Sequence, residues 1–509
     1  MDASKKYDVV IIGSGLGGLL CGAILSKEGQ RVCILEKNEQ IGGALQTFRR
    51  DGLSLDTGIH YIGGLNKGQN LYQIFNYLGI MDRLELTKLE ATGFDNILFK
   101  DDPTVYRHGM GYENFITELA AIFPEEKHAI EKYCEEVKKV CYTIELYNIR
   151  ATEQYDDINM LSFSAKEVIE GFTDNPKLQA VLAGSNMLYA GVGNTTPWYV
   201  HALIINSYIG SSYRCAKGGD QIAKLLAREI KANGGEIHTK TEVTIIKDEG
   251  GNISHVETAS GHKIYGNKFI SNAHPSVTLN LLESEAIRPV YKSRIKGLKN
   301  SVSAFVLNVV MKPETYKYQN KNFYYFDDLN VWDTTQTDAH WPKTYGLFEA
   351  VPYNGSEYLE SISIMTYMEW EEVKEWQDTE NTTTHETDRG AAYESFKSAK
   401  AGKLLEKVAE KFPDLVKNIE SWYAATPLTY RDYLHTPDGS IYGVAKDAHE
   451  PIKTMISPNT KILNLYMTGQ NIKLHGVLGV ALTALVTCSS ILGRDYLINK
   501  IKQANETPA

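Results

Sequence analysis

An α/β fold, a parallel sheet interrupted by an inserted α+β domain, is predicted by three observations in the sequence. The run Tyr7-Asp8-Val9-Val10-Ile11-Ile12 leads directly into Gly13-Ser14-Gly15-Leu16-Gly17-Gly18 and then into a segment with helical periodicity. A second apolar run, Arg31-Val32-Cys33-Ile34-Leu35, ends at Glu36. Further on, an amphipathic helix and a series of short strands between 217 and 271 read as the chain's return to the same sheet.

Each part of the first unit answers a demand of a dinucleotide, which makes the opening domain Rossmann-like. Gly13 permits the tight turn from strand to helix, Gly15 lets backbone amides approach a pyrophosphate, and Gly18 lets the helix pack on the strand. Ser14, Leu16 and Gly17 complete the loop, and the helix N-terminus brings free N–H groups and partial positive charge to the phosphates. Glu36 lies 21 residues after Gly15, the distance at which an acid meets ribose hydroxyls. A carboxylate there disfavours a 2′-phosphate, so the site suits FAD or NAD over NADP.

The helix after the loop carries Leu20, Ala23, Ile24 and Lys27 and closes at Gly29. Ile41-Gly42-Gly43-Ala44 and then Leu55-Asp56-Thr57-Gly58 follow, two glycine-rich turns close enough to the phosphate loop to pack backbone against a ligand. Residues 125–147 predict a helix with Ile130, Cys134, Val137, Cys141 and Ile144 on one face. The helix after Asp220 ends at Asn233-Gly234-Gly235, and strands follow at 237–239, 243–247, 253–258 and 262–271. Strand-like runs from 302 to 365 predict the sheet of a second domain, whereas Gln377 to Arg389 reads as an exposed, mobile loop. The domains expected are a nucleotide-binding domain from 1–90, 215–275 and 426–509, a helical substrate insert over 91–214, and a substrate-domain sheet with helices over 276–425.

Composition narrows the function. The 509 residues carry a net charge of −10 with no evident basic stripe, which argues against nucleic acid. Six cysteines without a CxxC pair or zinc-type histidine spacing read as reduced, buried thiols of a cytoplasmic protein, and no metal site is expected. No apolar leader precedes the first strand. Val477–Leu492 is apolar, but as a helix it reaches only about 24 Å, short of the roughly 30 Å hydrocarbon core of a membrane.

Four blocks carry a resemblance that spans nearly the whole chain. They are Val10 to Lys37; Leu55-Asp56-Thr57-Gly58-Ile59-His60-Tyr61-Ile62-Gly63; Thr426-Pro427-Leu428-Thr429 with Thr436-Pro437-Asp438-Gly439-Ser440-Ile441-Tyr442-Gly443; and Leu465-Tyr466-Met467-Thr468-Gly469-Gln470-Asn471 with Gly476-Val477-Leu478-Gly479. The sequence resembles the FAD-dependent phytoene desaturase, carotenoid isomerase and retinol saturase family, nearest its retinol saturase branch. Two departures stand out: Asn471 occupies a position where such sequences usually carry an acid, and Lys473-Leu474-His475 differs from their usual tripeptide.

The resemblance implies a glutathione-reductase or amine-oxidase type FAD domain in which both chain ends meet at one flavin. The glycine loop would hold the pyrophosphate, Glu36 and Lys37 would lie at the adenosine ribose, and Val243 would meet the adenine. Gly469-Gln470 would close over the ribityl and phosphate region, and the amides of Val477, Leu478 and Gly479 would point at the flavin pyrimidine edge. A conjugated double bond of an isoprenoid-like molecule would exchange hydride at flavin N5, with saturation favoured over desaturation or isomerisation. His60, Tyr61 and His475 are the candidates for moving the proton. No second complete glycine fingerprint occurs, so a transient NAD(P)H, a quinone or oxygen would serve as electron partner. The helical insert and the second sheet would wall a tunnel for a lipophilic substrate, with Tyr189, Trp198, Tyr199, Tyr208 and Tyr213 on it. Peripheral membrane contact by that insert stays open, as do the oligomeric state, a flavin-free prenyl-lipid carrier and an amine oxidase.

Overall fold

The computed structural model describes residues 6–150, 161–336 and 338–506. Lys6–Ile12 lies inside a parallel sheet because it is apolar on both faces, with Val9, Val10 and Ile11 wholly buried. Val10 pairs with Cys33 of Val32–Leu35 on one side and with Phe269 of Lys263–Ser271 on the other. Glu236–His238 extends the sheet beyond Val32–Leu35. Asn252–Thr258 and Val243–Glu249 add an antiparallel meander beyond Lys263–Ser271. The late strand Leu465–Met467 slots in parallel beside the carboxyl half of Lys263–Ser271, with Ile270 opposite Tyr466. Head, middle and tail of the chain therefore build one sheet.

The helices Leu16–Lys27 and Gly476–Leu492 meet on one face of this sheet, where Cys21, Ala484 and Cys488 are fully buried. Gly476–Leu492 has 17 residues, and among the described residues no helix is long and apolar enough to cross a membrane. All six cysteines are buried free thiols.

A second, mostly antiparallel sheet runs in the order Ile419–Ala425, Ser303–Met311, Ser361–Met368, Thr344–Glu349, Asn322–Phe326, Asp95–Phe99 and Tyr106–His108. Its last two strands lie within the segment that sequence patterning gave to the helical insert. Ile97-Leu98-Phe99 is too short an apolar run, between Asp95-Asn96 and Lys100-Asp101, to signal a strand by itself. Parallel pairing with Asn322–Phe326, Tyr324 opposite Ile97, supplies what local pattern lacks.

The stretch 377–389 is mostly exposed, as expected, but has regular structure that its composition did not predict. It forms a short hairpin, Asn381–Thr382 with His385–Glu386, and Thr382 is 4% exposed. The buried Asp432 carboxylate fixes it by accepting from Asn381 N at 2.9 Å and from the Arg389 guanidinium, with Arg431 Nε on its other oxygen at 2.7 Å. One backbone N–H and one guanidinium of this polar stretch thus serve a buried acid, while most of its other side chains face solvent.

Candidate active site

A cleft of about 1460 Å³, measured with its open mouth, lies at the carboxyl ends of the parallel strands. Ligands sit at such strand ends because chains leave there in opposite directions and open a crevice.

Local sequence dictates the floor. Gly13 takes φ +91°, and Cβ atoms on Gly15 and Gly17 would come within 2.8 Å of Asn272 Nδ2 and 2.5 Å of Asn272 Oδ1. Gly13, Gly15, Leu16 and Gly17 face the cleft, whereas Ser14 and Gly18 sit behind it. Ser14 donates its N–H and hydroxyl to Glu36 Oε2 at 2.8 and 2.7 Å, and Asn38 N–H holds Oε1 at 2.8 Å. The Glu36 carboxylate is thus fixed in place and still lines the cleft. Lys37, also on the wall, places its ammonium 2.6 Å from His435 Nδ1. Burial lowers the pKa of that imidazole, so it stays neutral beside the cation.

Gly42, Gly43, Ala44 and Gly58 form another side of the cleft, Val243 one end, and Gly469, Gln470 and Val477 the roof. Two helix N-termini open into this one space: Leu16–Lys27 behind Gly15 and Gly476–Leu492 behind His475. Neither has a side-chain cap nor, among the described residues, an acid in its first turn. Their free amides and partial positive charge suit an anionic or electron-rich ligand at both places.

A smaller apolar chamber of about 470 Å³, with its mouth, adjoins the cleft and shares Gly476 and Val477 with it. Leu478, Gly479 and His475 line the chamber and not the cleft, together with Ile62, Leu188, Leu203 and Tyr208. His475 Nε2 lies 3.2 Å from Leu188 O, which assigns the ring proton to that nitrogen and leaves Nδ1 as an acceptor. Burial pushes its pKa down to about 4, so it is neutral near pH 7.

The three residues singled out for proton transfer are not gathered in one place. Tyr61 is 5% exposed and donates to Asp95 Oδ2 at 2.8 Å, while its oxygen lies 2.6 Å from Tyr324 Oη. Its ring centre is 4.5 Å from that of Tyr208, so it touches the chamber's wall from behind. His60 stacks on Phe348 at 4.5 Å and lines a separate small cavity with Asp56 and Arg214. Burial, with Arg214 nearby, pushes its pKa down to about 4. Sequence reasoning missed Asn272 and the site role of Tyr442, which lines the cleft with its ring 4.6 Å from His475. Asn272 had a signal: it is the first residue after a parallel strand, where crevices form.

A family model described as flavin containing amine oxidoreductase matches residues 16–396. The chain belongs to that family. All-trans-retinol 13,14-reductase of Rattus norvegicus is 29% identical over 96% of this chain and 86% of its own length. A chloroplastic prolycopene isomerase of Daucus carota is 24% identical over 97% of this chain and 81% of its own. Among solved structures, a redesigned putrescine oxidase superposes with a TM-score of 0.64 at 12% identity, covering 98% of this chain and 99% of its own, a likeness of fold.

This family member is therefore a flavin-dependent oxidoreductase, and its cofactor is FAD. The residues present fit that group: a Cβ on Gly17 would meet the Gly469 backbone at 2.9 Å, an acid stands at the end of the second strand, and two uncapped helix ends face one cleft.

Proposed function

We propose that the protein exchanges a hydride between FAD and a carbon–carbon double bond of a lipophilic, isoprenoid-like molecule, running toward saturation. The observation that carries this reading is the apolar chamber that meets the cleft at the N-terminus of Gly476–Leu492. Bound FAD supplies a two-electron hydride exchange at N5. The glycine loop, Glu36 and Gly469 hold the nucleotide part, and the amides of Val477 to Gly479 favour negative charge at the ring. Ile62, Leu188, Leu203 and Leu478 exclude water and accept an apolar chain. The residues lining the chamber include no carboxylate to receive an ammonium, which sets this reading above amine oxidation.

Saturation needs a proton for the second carbon. His475 suits it poorly, because its one ring proton is committed to Leu188 O and its pKa is low. The residue assigned to this step is Tyr208, on the chamber wall and backed by Tyr61 and Asp95. Tyr208→Phe is expected to lower turnover by about 10²- to 10⁴-fold, the usual range for a lost general acid, with bound FAD unchanged.

Relatives named as a retinol reductase and a carotenoid isomerase support the polyene class. The test is anaerobic. Flavin reduced by dithionite or NAD(P)H is mixed with retinoids and carotenoids, and products are resolved by chromatography. Flavin reoxidation matched by loss of one double bond supports saturation. Reduction of oxidised flavin by the polyene would mean desaturation, and isomers without net redox change would mean isomerisation. Rapid flavin reduction by amines alone would overturn the polyene reading.

A further inference from the structure

The segment 443–446 grips the roof of the cleft from behind and brings a cation, Lys446, to it. Gly443 packs so closely that a Cβ there would lie 2.2 Å from Asn471 Oδ1, and the same oxygen accepts Val444 N–H at 3.1 Å. Lys446 Nζ then donates to Asn471 O, Ile472 O and Thr454 O, each at 3.3 Å. Tyr442, Gln470 and Asn471 line the cleft, so the ammonium stands one hydrogen bond behind its wall.

The three protons of this ammonium are spent on neutral carbonyls. Among the described residues no carboxylate answers its charge. Asp447, next in the chain, accepts His449 N–H at 2.8 Å, and Glu450 pairs with Lys453 at 2.7 Å on the segment that supplies Thr454. The side chain at 471 is an amide. Two other basic groups of the roof segment face Lys446: the Lys473 cation, and His475, which is neutral above about pH 4. Burial and the Lys473 charge push the Lys446 pKa down to about 7, because a charge without a counter-charge is costly out of water. Negative charge arriving in the cleft reverses that balance.

We infer that Lys446 is a positioning residue for the redox step: from behind the roof its ammonium stabilises reduced FAD, and its amine gains a proton from solvent when the cofactor is reduced. A hydride donor leaves the ring with two more electrons, one more proton and one negative charge. The second proton comes from water and settles on Lys446 Nζ, and no bond of the protein breaks. The inference rests on the FAD site and is independent of whether the substrate is a polyene.

The midpoint potential of the holoprotein is measured by dye equilibration from pH 6 to 9 in the parent, Lys446→Met and Lys446→Arg. At pH 6 Lys446→Met should bind reduced FAD, relative to oxidised FAD, about tenfold more weakly than the parent does, the equivalent of one pKa unit of coupling. By pH 9, where the parent lysine is also neutral, the two should agree. Lys446→Arg keeps its charge throughout, so it should match the parent at pH 6 and hold reduced FAD more tightly than the parent at pH 9. A merely structural pin would weaken both redox forms alike and leave the potential in place. The parent's potential at pH 6 in Lys446→Met, or the parent's pH dependence in Lys446→Arg, overturns the inference. Should Lys446→Met lose FAD altogether, the arginine comparison decides alone. No substrate enters the measurement, so its failure leaves the polyene reading untouched.

Discussion

Gly18 has no room for a side chain: a Cβ there would lie 2.0 Å from the carbonyl oxygen of Gly13. Because the obstacle is backbone, Gly18→Ala forces the first helix off the strand. We expect loss of tightly bound FAD and about 1–3 kcal/mol of stability, read by flavin absorbance after desalting and by denaturant melts. This residue was legible in the sequence because its demand is local. The surroundings of Tyr61 were not, since Asp95 and Tyr324 reach it from 34 and 263 residues away. Asp95 makes a second test at this scale. Burial pushes its pKa up to about 6, against the opposing pull of Asn322, Tyr61 and Ser185. The folded protein therefore holds a proton that the unfolded chain, with an ordinary Asp pKa of about 3.9, releases. Its stabilising share is complete below about pH 4 and is lost as pH rises through about 6. A melting-temperature series from pH 4.5 to 8 should flatten across that window in Asp95→Asn.

At the scale of elements, the helix Gly476–Leu492 links the two spaces. Its apolar composition was plain in the sequence, and so was its shortness for a membrane. Its division of labour was not: Val477 lines both spaces, whereas Leu478 and Gly479 face only the chamber. The division arises where the helix axis meets the second domain, which no periodicity encodes. Val477→Asp puts a carboxylate in its first turn, where it competes for the amides and the partial positive charge. The expected result is weaker FAD binding and a flavin potential more negative by on the order of 7–22 mV, equivalent to about 0.3–1 kcal/mol for two electrons. A potential unchanged in the variant would count against the helix end as the partner of the ring. The hairpin at 381–386 teaches the converse lesson: polar segments look alike in sequence whether water or a buried Asp432 satisfies them.

For the whole molecule, the nucleotide sheet was readable because its strands are continuous apolar runs with glycine punctuation at their ends. The second sheet was readable only in its middle. Asp95–Phe99 depends on a parallel partner, Asn322–Phe326, more than 200 residues away, and the edge strand Tyr106–His108 joins the sheet only through Asp95–Phe99. FAD should act as a tie between distant segments. At about 100 times its dissociation constant, a ligand of the folded state adds about 2.7 kcal/mol. Hydrogen exchange of apo and holo protein should therefore show joint protection of 13–18, 42–44, 272–274 and 469–480. Protection confined to the first loop would mean that the tail contributes nothing to holding the nucleotide.

The late strand Leu465–Met467 pairs with Lys263–Ser271, made long before it during synthesis. Gly469, Gln470, Gly476, Val477 and Val480, which close one side of the cleft, all come after that strand, so a chain synthesised only as far as residue 467 holds an incomplete trough. Tight cofactor capture then waits for synthesis of that segment. A shortage of riboflavin would leave behind not half-made domains but full-length protein with a loose carboxyl-terminal segment, the form that cellular proteases recognise first.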